Sequence, residues 1–171
     1  MKLFIFLSTF FSFLLFAHEK DHQHKNLNAH SHDNLKLNVT AEKKAVQFGI
    51  DGAAMGILGF EHQPKSSKEK KKWDDFLKQW KTTGAEIFSI AADFKCQQKD
   101  SDAKLITEGS ENHADLEASI LFECQKEIKN TKVEIRLIKN FNKIKKLIIE
   151  VLGPNGATYI KSSESIETLT L

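Results

Sequence analysis

The stretch that decides the fold reads ADLEASILFEC and covers residues 114–124. Apolar side chains recur at every second position from Ala114 to Phe122, and most of the positions between them are polar. Successive side chains of a β-strand point to opposite faces of a sheet. The pattern therefore predicts a strand with one buried and one solvent-facing side, and the same alternation places Cys124 on the buried side.

Further segments alternate in the same way and predict a strand-rich domain around this stretch. Leu35–Val39 and Val46–Ile50 flank a short polar connection at Ala41–Lys44, which is typical of a β-hairpin. The run Gly153-Pro-Asn-Gly156 is a strong turn signal between two more segments. The remaining predicted strands are Phe88–Cys96, Thr131–Ile138, Leu147–Leu152, Thr158–Lys161 and Ile166–Leu171.

One segment has the period of a helix instead. Ser66 and Glu69 have the spacing of a capping box, in which each residue bonds the backbone N–H of the other. Trp73, Phe76, Leu77 and Trp80 then follow at i, i+3, i+4 and i+7, which predicts one amphipathic helix at about Ser67–Thr83. The expected fold class is therefore α+β, a mostly antiparallel β-sheet with one main helix packed on it.

The N-terminus predicts export. Lys2 precedes an apolar run, Leu3–Phe16, and Ala17 is followed at once by polar residues, as in a cleaved secretory signal. The run is shorter than the roughly 20 residues that a membrane anchor needs, so no stable membrane insertion is expected. The predicted organisation is a signal peptide at 1–17, a His-rich flexible tail at 18–34 and one domain at 35–171, in the periplasm.

Charge gives no reason to expect a nucleic-acid partner. The chain has 25 Lys+Arg and 23 Asp+Glu, and removing the signal with its Lys2 leaves the two nearly equal. Proteins that bind phosphate backbones carry a marked positive excess.

The sequence contains only two cysteines, Cys96 and Cys124. In an exported protein such a pair favours a disulfide, with two free buried thiols as the alternative. If the predicted strand ending at Cys96 formed a plain hairpin with the strand ending at Cys124, the two residues would lie at opposite ends. A disulfide therefore implies a different pairing of strands.

The tail HEKDHQHKNLNAHSHDN is the most informative segment for function. It holds five histidines among acidic and amide residues, with few apolar side chains that could form a core. Imidazole nitrogen and carboxylate oxygen are ligands that Zn²⁺ takes in tetrahedral sets, with copper and nickel as second choices. Because the imidazoles must be neutral, affinity should fall as pH drops through about 6.5. The predicted metal ligands here are His18, His22, His24, His30 and His32.

A second candidate metal site lies in the domain. Glu61 and His62 end a glycine-rich stretch, and His113 and Asp115 lie on the predicted polar face of the 114–124 strand. If His62 approaches His113 with a carboxylate nearby, three or four ligands could meet. The alternative is that both histidines are ordinary surface residues.

No catalytic constellation is present, so we expect a protein that is not an enzyme. The alternatives are an envelope protein-interaction module that uses no metal, a copper-binding periplasmic protein, and a hydrolase built on a metal held by His62 and His113. The glycine-rich stretch lacks the Gly-Lys-Ser/Thr of a nucleotide loop.

Two motifs resemble a known family. The segments Gly59-Phe-Glu-His-Gln-Pro64 and His113-Ala-Asp-Leu-Glu-Ala-Ser119, the latter leading to Cys124, follow a His-rich start in an order similar to the ZrgA-like, zinc-regulated periplasmic proteins. The resemblance implies a periplasmic zinc-binding protein that assists zinc uptake, beside a zinc ABC importer or its binding protein. It matches Cys96 and Cys124 to the family's two cysteines, and His62 and His113 to its motif histidines.

This sequence departs from those relatives in one respect. They often carry a long His-rich insert between strands, whereas residues 97–112 here contain no histidine. High zinc capacity in that region is therefore not expected, and the tail remains the main predicted chelator.

Overall fold

The computed structural model describes residues 34–107 and 113–171. Within them the chain forms nine strands: β1 Asn34–Glu42, β2 Ala45–Ala53, β3 Phe88–Ile90, β4 Gln97–Thr107, β5 Ala114–Glu123, β6 Lys132–Ile135, β7 Lys146–Gly153, β8 Gly156–Ser162 and β9 Glu167–Thr170. The α-helices of the same residues are α1 Met55–Leu58, α2 Ser67–Thr82, α3 Gly84–Ile87 and α4 Leu137–Asn140. A 3₁₀ turn covers Ala92–Phe94.

The strands form two sheets. The larger has six strands in the order β4-β5-β2-β1-β7-β8, and the smaller has three in the order β3-β6-β9. Every neighbouring pair is antiparallel except β1 and β7, which run parallel with Leu37 opposite Ile149. The strand content and the antiparallel-rich large sheet confirm the mostly antiparallel β part of the predicted α+β class, and the helices among the described residues are few.

The core lies between the two sheets. Phe48 of β2 is fully buried and stacks on Phe88 of β3, with ring centroids 4.2 Å apart. Trp80 of α2 meets Phe88 edge-on, and its indole N–H donates to the backbone oxygen of Ser119 in β5 at 3.0 Å. One face of the larger sheet is therefore covered by the small sheet and α2. The other face carries ion pairs such as Lys36–Glu150.

Helix α2 begins where the capping-box spacing predicts. Ser66 is the N-cap, its hydroxyl accepts from the backbone N–H of Glu69, and the Glu69 carboxylate accepts from the N–H of Ser66. At the other end, the side-chain amide of Gln98 in β4 donates to the carbonyls of Trp80 and Lys81. Both ends of α2 are therefore fixed by hydrogen bonds from outside the helix.

Replacing Ser66 by alanine should lower the free energy of unfolding by about 1 kcal/mol, because one N-terminal N–H loses its acceptor. Urea unfolding measures the change. Ser67→Ala, an exposed position one residue on, is the matched control and should change the free energy by no more than a few tenths. Equal unfolding midpoints for the two variants would show that the cap does not stabilise the domain.

The strand predicted over Phe88–Cys96 was wrong in extent. β3 ends at Ile90, and the 3₁₀ turn follows, with Lys95 in the left-handed region at φ 49°. Such a residue interrupts an extended strand. The segment that follows the turn, β4, pairs with β5 instead, with Gln97 opposite Glu123.

That pairing accounts for the cysteines. Cys96 directly precedes β4 and Cys124 directly follows β5, so the two lie side by side at the end of the pair away from its loop. The structure contains the Cys96–Cys124 disulfide. The strand predicted over Thr131–Ile138 is likewise shorter, since β6 stops at Ile135 and α4 begins at Leu137. Among the described residues no helix has both the length and the apolar character needed to cross a membrane.

Candidate metal centre

The Glu61–Gln63 loop connects α1 to α2 at one end of the larger sheet. Gly59, at φ 80°, ends α1 in the left-handed region that glycine adopts without strain. The backbone oxygen of Glu61 accepts from the N–H of Ala114 at 2.6 Å, and the Gln63 side-chain amide donates to the carbonyl of Leu105 at 3.4 Å. The loop is thereby held against the end of β4 and the start of β5.

His62 in this loop lies next to α2. Its Nδ1 is 2.9 Å from the carbonyl oxygen of Gln63, and its Nε2 is 3.6 Å from Oε1 of Glu69. The two side chains are 30% and 24% exposed, and the ring of buried Phe60 lies 5.6 Å from the imidazole. The imidazole and the carboxylate therefore face each other in a partly shielded position.

Glu69 has two separate roles in this geometry. Its Oε2 accepts from the backbone N–H groups of Lys65 at 3.0 Å and Ser66 at 2.8 Å, which leaves Oε1 turned toward His62. The Ser66 N–H holds the pKa of the Glu69 carboxyl below its usual value. The carboxylate is thus anionic at neutral pH and fixed in orientation.

His113 and Glu61 form a second histidine–carboxylate pair, next to the contact between the Glu61–Gln63 loop and β5. Nδ1 of His113, the residue before β5, is 4.0 Å from Oε1 of Glu61. The Glu61 side chain is 21% exposed and that of His113 is 62% exposed. The hydrogen bond between the Ala114 N–H and the Glu61 carbonyl brings these two segments together.

The remaining predicted carboxylate, Asp115, lies on the outer face of β5. It pairs across the sheet with Ala53 of β2 and Ile106 of β4. Two residues on, the Glu117 carboxylate accepts from Lys104 Nζ at 2.8 Å and raises the pKa of that ammonium group. An ion pair therefore lies next to Asp115 on the outer face of the sheet.

The structure brings together only part of the predicted domain site. The hypothesis was that His62 approaches His113 with a carboxylate nearby. In the structure Glu61 lies 4.0 Å from His113, and His62 lies 3.6 Å from Glu69, which the sequence pattern predicted only as a helix-capping residue. In the described ranges no group of three or more His, Cys, Asp or Glu has the geometry to hold a metal ion. The tail histidines His18, His22, His24, His30 and His32 lie outside the described residues.

Fold and site together define a small β-rich domain that holds two histidine–carboxylate pairs at one end of its larger sheet. The chain matches the model of the ZrgA family of zinc uptake proteins over residues 29–171, and it belongs to that family. The resemblance inferred from the two motifs is thereby confirmed. The matched range includes His30 and His32 and begins after His24. Comparison with curated proteins finds no match.

Proposed function

We propose that this protein is exported to the periplasm, where it captures or buffers zinc and assists its uptake. It acts as a binding protein and not as an enzyme, and its His-rich N-terminal tail is the main chelator. The observation that carries the proposal is the concentration of five imidazoles within residues 18–32 of a member of a zinc uptake family. Imidazole nitrogens are ligands that zinc takes in tetrahedral sets.

The point where the chain enters the domain supports a joint role of tail and domain. Lys36 pairs with Asp51, and Ala53 pairs with Asp115. Asn34, at the start of β1, therefore lies at the end of the sheet where β5 begins. Two strand spacings, about 10 Å, separate Asn34 from Asp115 across β2. His113 lies just before β5 at this end.

The tail is long enough to reach that end of the sheet. An extended chain spans at most about 3.3–3.6 Å per residue, so His32 and His30 can extend up to about 7 Å and 14 Å from Asn34. A donor tethered over so short a distance has an effective concentration in the millimolar range. Zinc captured by the tail can therefore be shared with, or passed to, the histidine–carboxylate pairs of the domain.

The test is a calorimetric zinc titration of the metal-depleted mature chain near neutral pH. The variant replaces all five tail histidines with asparagine, and the control replaces Gln23, Asn26, Asn28 and Ser31 with alanine. We expect the histidine variant to lose most of its bound zinc, and the control to bind as the parent does. Unchanged zinc stoichiometry and affinity in the histidine variant would reject the role of the tail.

A further inference from the structure

We infer that His62 and Glu69 form a zinc-binding pair in which Nε2 of the imidazole and Oε1 of the carboxylate are the donor atoms. This assigns to Glu69 a metal-binding role in addition to its role in capping α2. The inference rests on the proposed function only for the identity of the ion, because the geometry of the two side chains is independent of the tail.

The first argument is the tautomer of His62. A carbonyl oxygen can only accept a hydrogen bond, so the 2.9 Å contact with the Gln63 carbonyl places a hydrogen on Nδ1. In the neutral ring Nε2 then carries a lone pair, and Nε2 lies 3.6 Å from the anionic Oε1 of Glu69. Metal-binding histidines commonly donate their second ring N–H to a backbone carbonyl, which orients the ring and fixes the tautomer.

The second argument is the distance. A cation between Nε2 and the Glu69 oxygen, either a proton on Nε2 or a metal ion, would stabilise this arrangement. A charge-assisted N–H···O bond would be about 2.7–2.9 Å long, well short of the observed 3.6 Å. With metal–ligand bonds of about 2.0–2.1 Å, the donor–donor edge of a tetrahedral zinc site is roughly 3.3–3.4 Å. The observed separation is closer to that edge than to a hydrogen bond.

The third argument is that both donors are already positioned. Two backbone N–H groups at the start of α2 hold the other oxygen of Glu69, and the Gln63 carbonyl and the Phe60 ring confine the imidazole. Little side-chain entropy remains to be lost when an ion binds. Two protein donors leave two tetrahedral positions for water or for other ligands, so we expect an exchangeable site and not a closed structural one.

The experiment follows each histidine separately in the full mature chain. Protein labelled with ¹⁵N at histidine is titrated with zinc, and the ring nitrogens are observed by long-range ¹H–¹⁵N correlation, with His62→Asn used for assignment. The variant is Glu69→Gln, which keeps a capping residue accepted at this position but removes the carboxylate. Asp75→Asn is the matched control, because it removes one charge from an exposed position of the same helix.

We expect zinc to shift Nε2 of His62 while Nδ1 stays protonated, in both the parent and Asp75→Asn. In Glu69→Gln the zinc concentration for half of that shift should rise at least tenfold, since loss of even an outer-shell partner costs about 10–100-fold. Unfolding of each variant in the presence of chelator checks that the fold is retained.

The outcomes separate this inference from the proposed function. If the His62 resonances do not shift with zinc while those of other histidines do, the His62–Glu69 pair is overturned and the proposed capture of zinc by the tail is not. A His62 shift of equal affinity in the parent and Glu69→Gln would remove Glu69 as a donor. Failure of every histidine to respond near neutral pH would overturn both proposals.

Discussion

Replacing Phe48 by alanine is expected to lower the free energy of unfolding by roughly 3–5 kcal/mol, the largest effect among the substitutions considered. Phe48 is fully buried, stacks on Phe88 of the small sheet and meets Phe122 edge-on with ring centroids 5.9 Å apart. Truncation removes the apolar contact between the sheets and leaves a cavity that the surrounding strands can only partly close. Urea unfolding monitored by circular dichroism measures the loss.

Gln47→Ala is the control, because the preceding residue of the same strand is exposed on the outer face of the sheet. It should change the free energy of unfolding by no more than about 0.5 kcal/mol. Phe48→Leu keeps most of the apolar volume and should fold even if the alanine variant does not. A loss below about 1 kcal/mol for Phe48→Ala would contradict a core centred between the two sheets.

Removing the disulfide is expected to lower the free energy of unfolding by about 3–4 kcal/mol. The bridge joins residues 28 apart in sequence, and closing a loop of this size restricts the unfolded chain by roughly that free energy. The variant replaces both Cys96 and Cys124 with alanine, so that no thiol remains to form dimers. Chemical unfolding under non-reducing conditions gives the comparison with the parent.

A reductant provides the internal control for this prediction. It should lower the unfolding midpoint of the parent to about that of the double variant and leave the double variant unchanged. If the parent unfolds at the same midpoint with and without reductant, while its thiols titrate as reduced, the bridge does not stabilise the domain.

The elements that the sequence predicted well are those with local signals. The β1–β2 hairpin follows from two alternating segments around a short turn, and the start of α2 follows from the reciprocal spacing of Ser66 and Glu69. The turn between β7 and β8 follows from its proline and glycines, with Gly153 paired to Gly156. In each case the residues that determine the conformation are neighbours in the sequence.

β4 was missed because its pattern is that of an edge strand. Lys99, Asp100, Asp102 and Lys104 interrupt it, and the register shifts between Gln98 and Asp100. Charges and bulges are common on edge strands, where they discourage pairing with other chains, but they hide the alternation on which prediction depends. The parallel pairing of β1 with β7 was missed because it joins segments about a hundred residues apart, with no local signal.

The candidate site was predictable in its residue types but not in its partners. The sequence placed Glu61, His62 and His113 in one candidate site, and the loop contact with Ala114 brings Glu61 to His113. It gave no indication that the loop around Pro64 would turn His62 toward Glu69, seven residues later. The capping-box spacing accounts for only one oxygen of Glu69, and no local pattern indicates where the other oxygen lies.

The position of the disulfide has a consequence for the choice of metal ligands. Both cysteine sulfur atoms of the sequence are used in one covalent bond, at the opposite end of β5 from His113 and about 35 Å away along the strand. Oxidants and reductants that act on the bridge therefore act far along β5 from His113. Since no thiol remains as a ligand, the donors of the proposed zinc sites are nitrogen and oxygen, and we expect proton concentration, and not redox state, to govern loading and release of zinc.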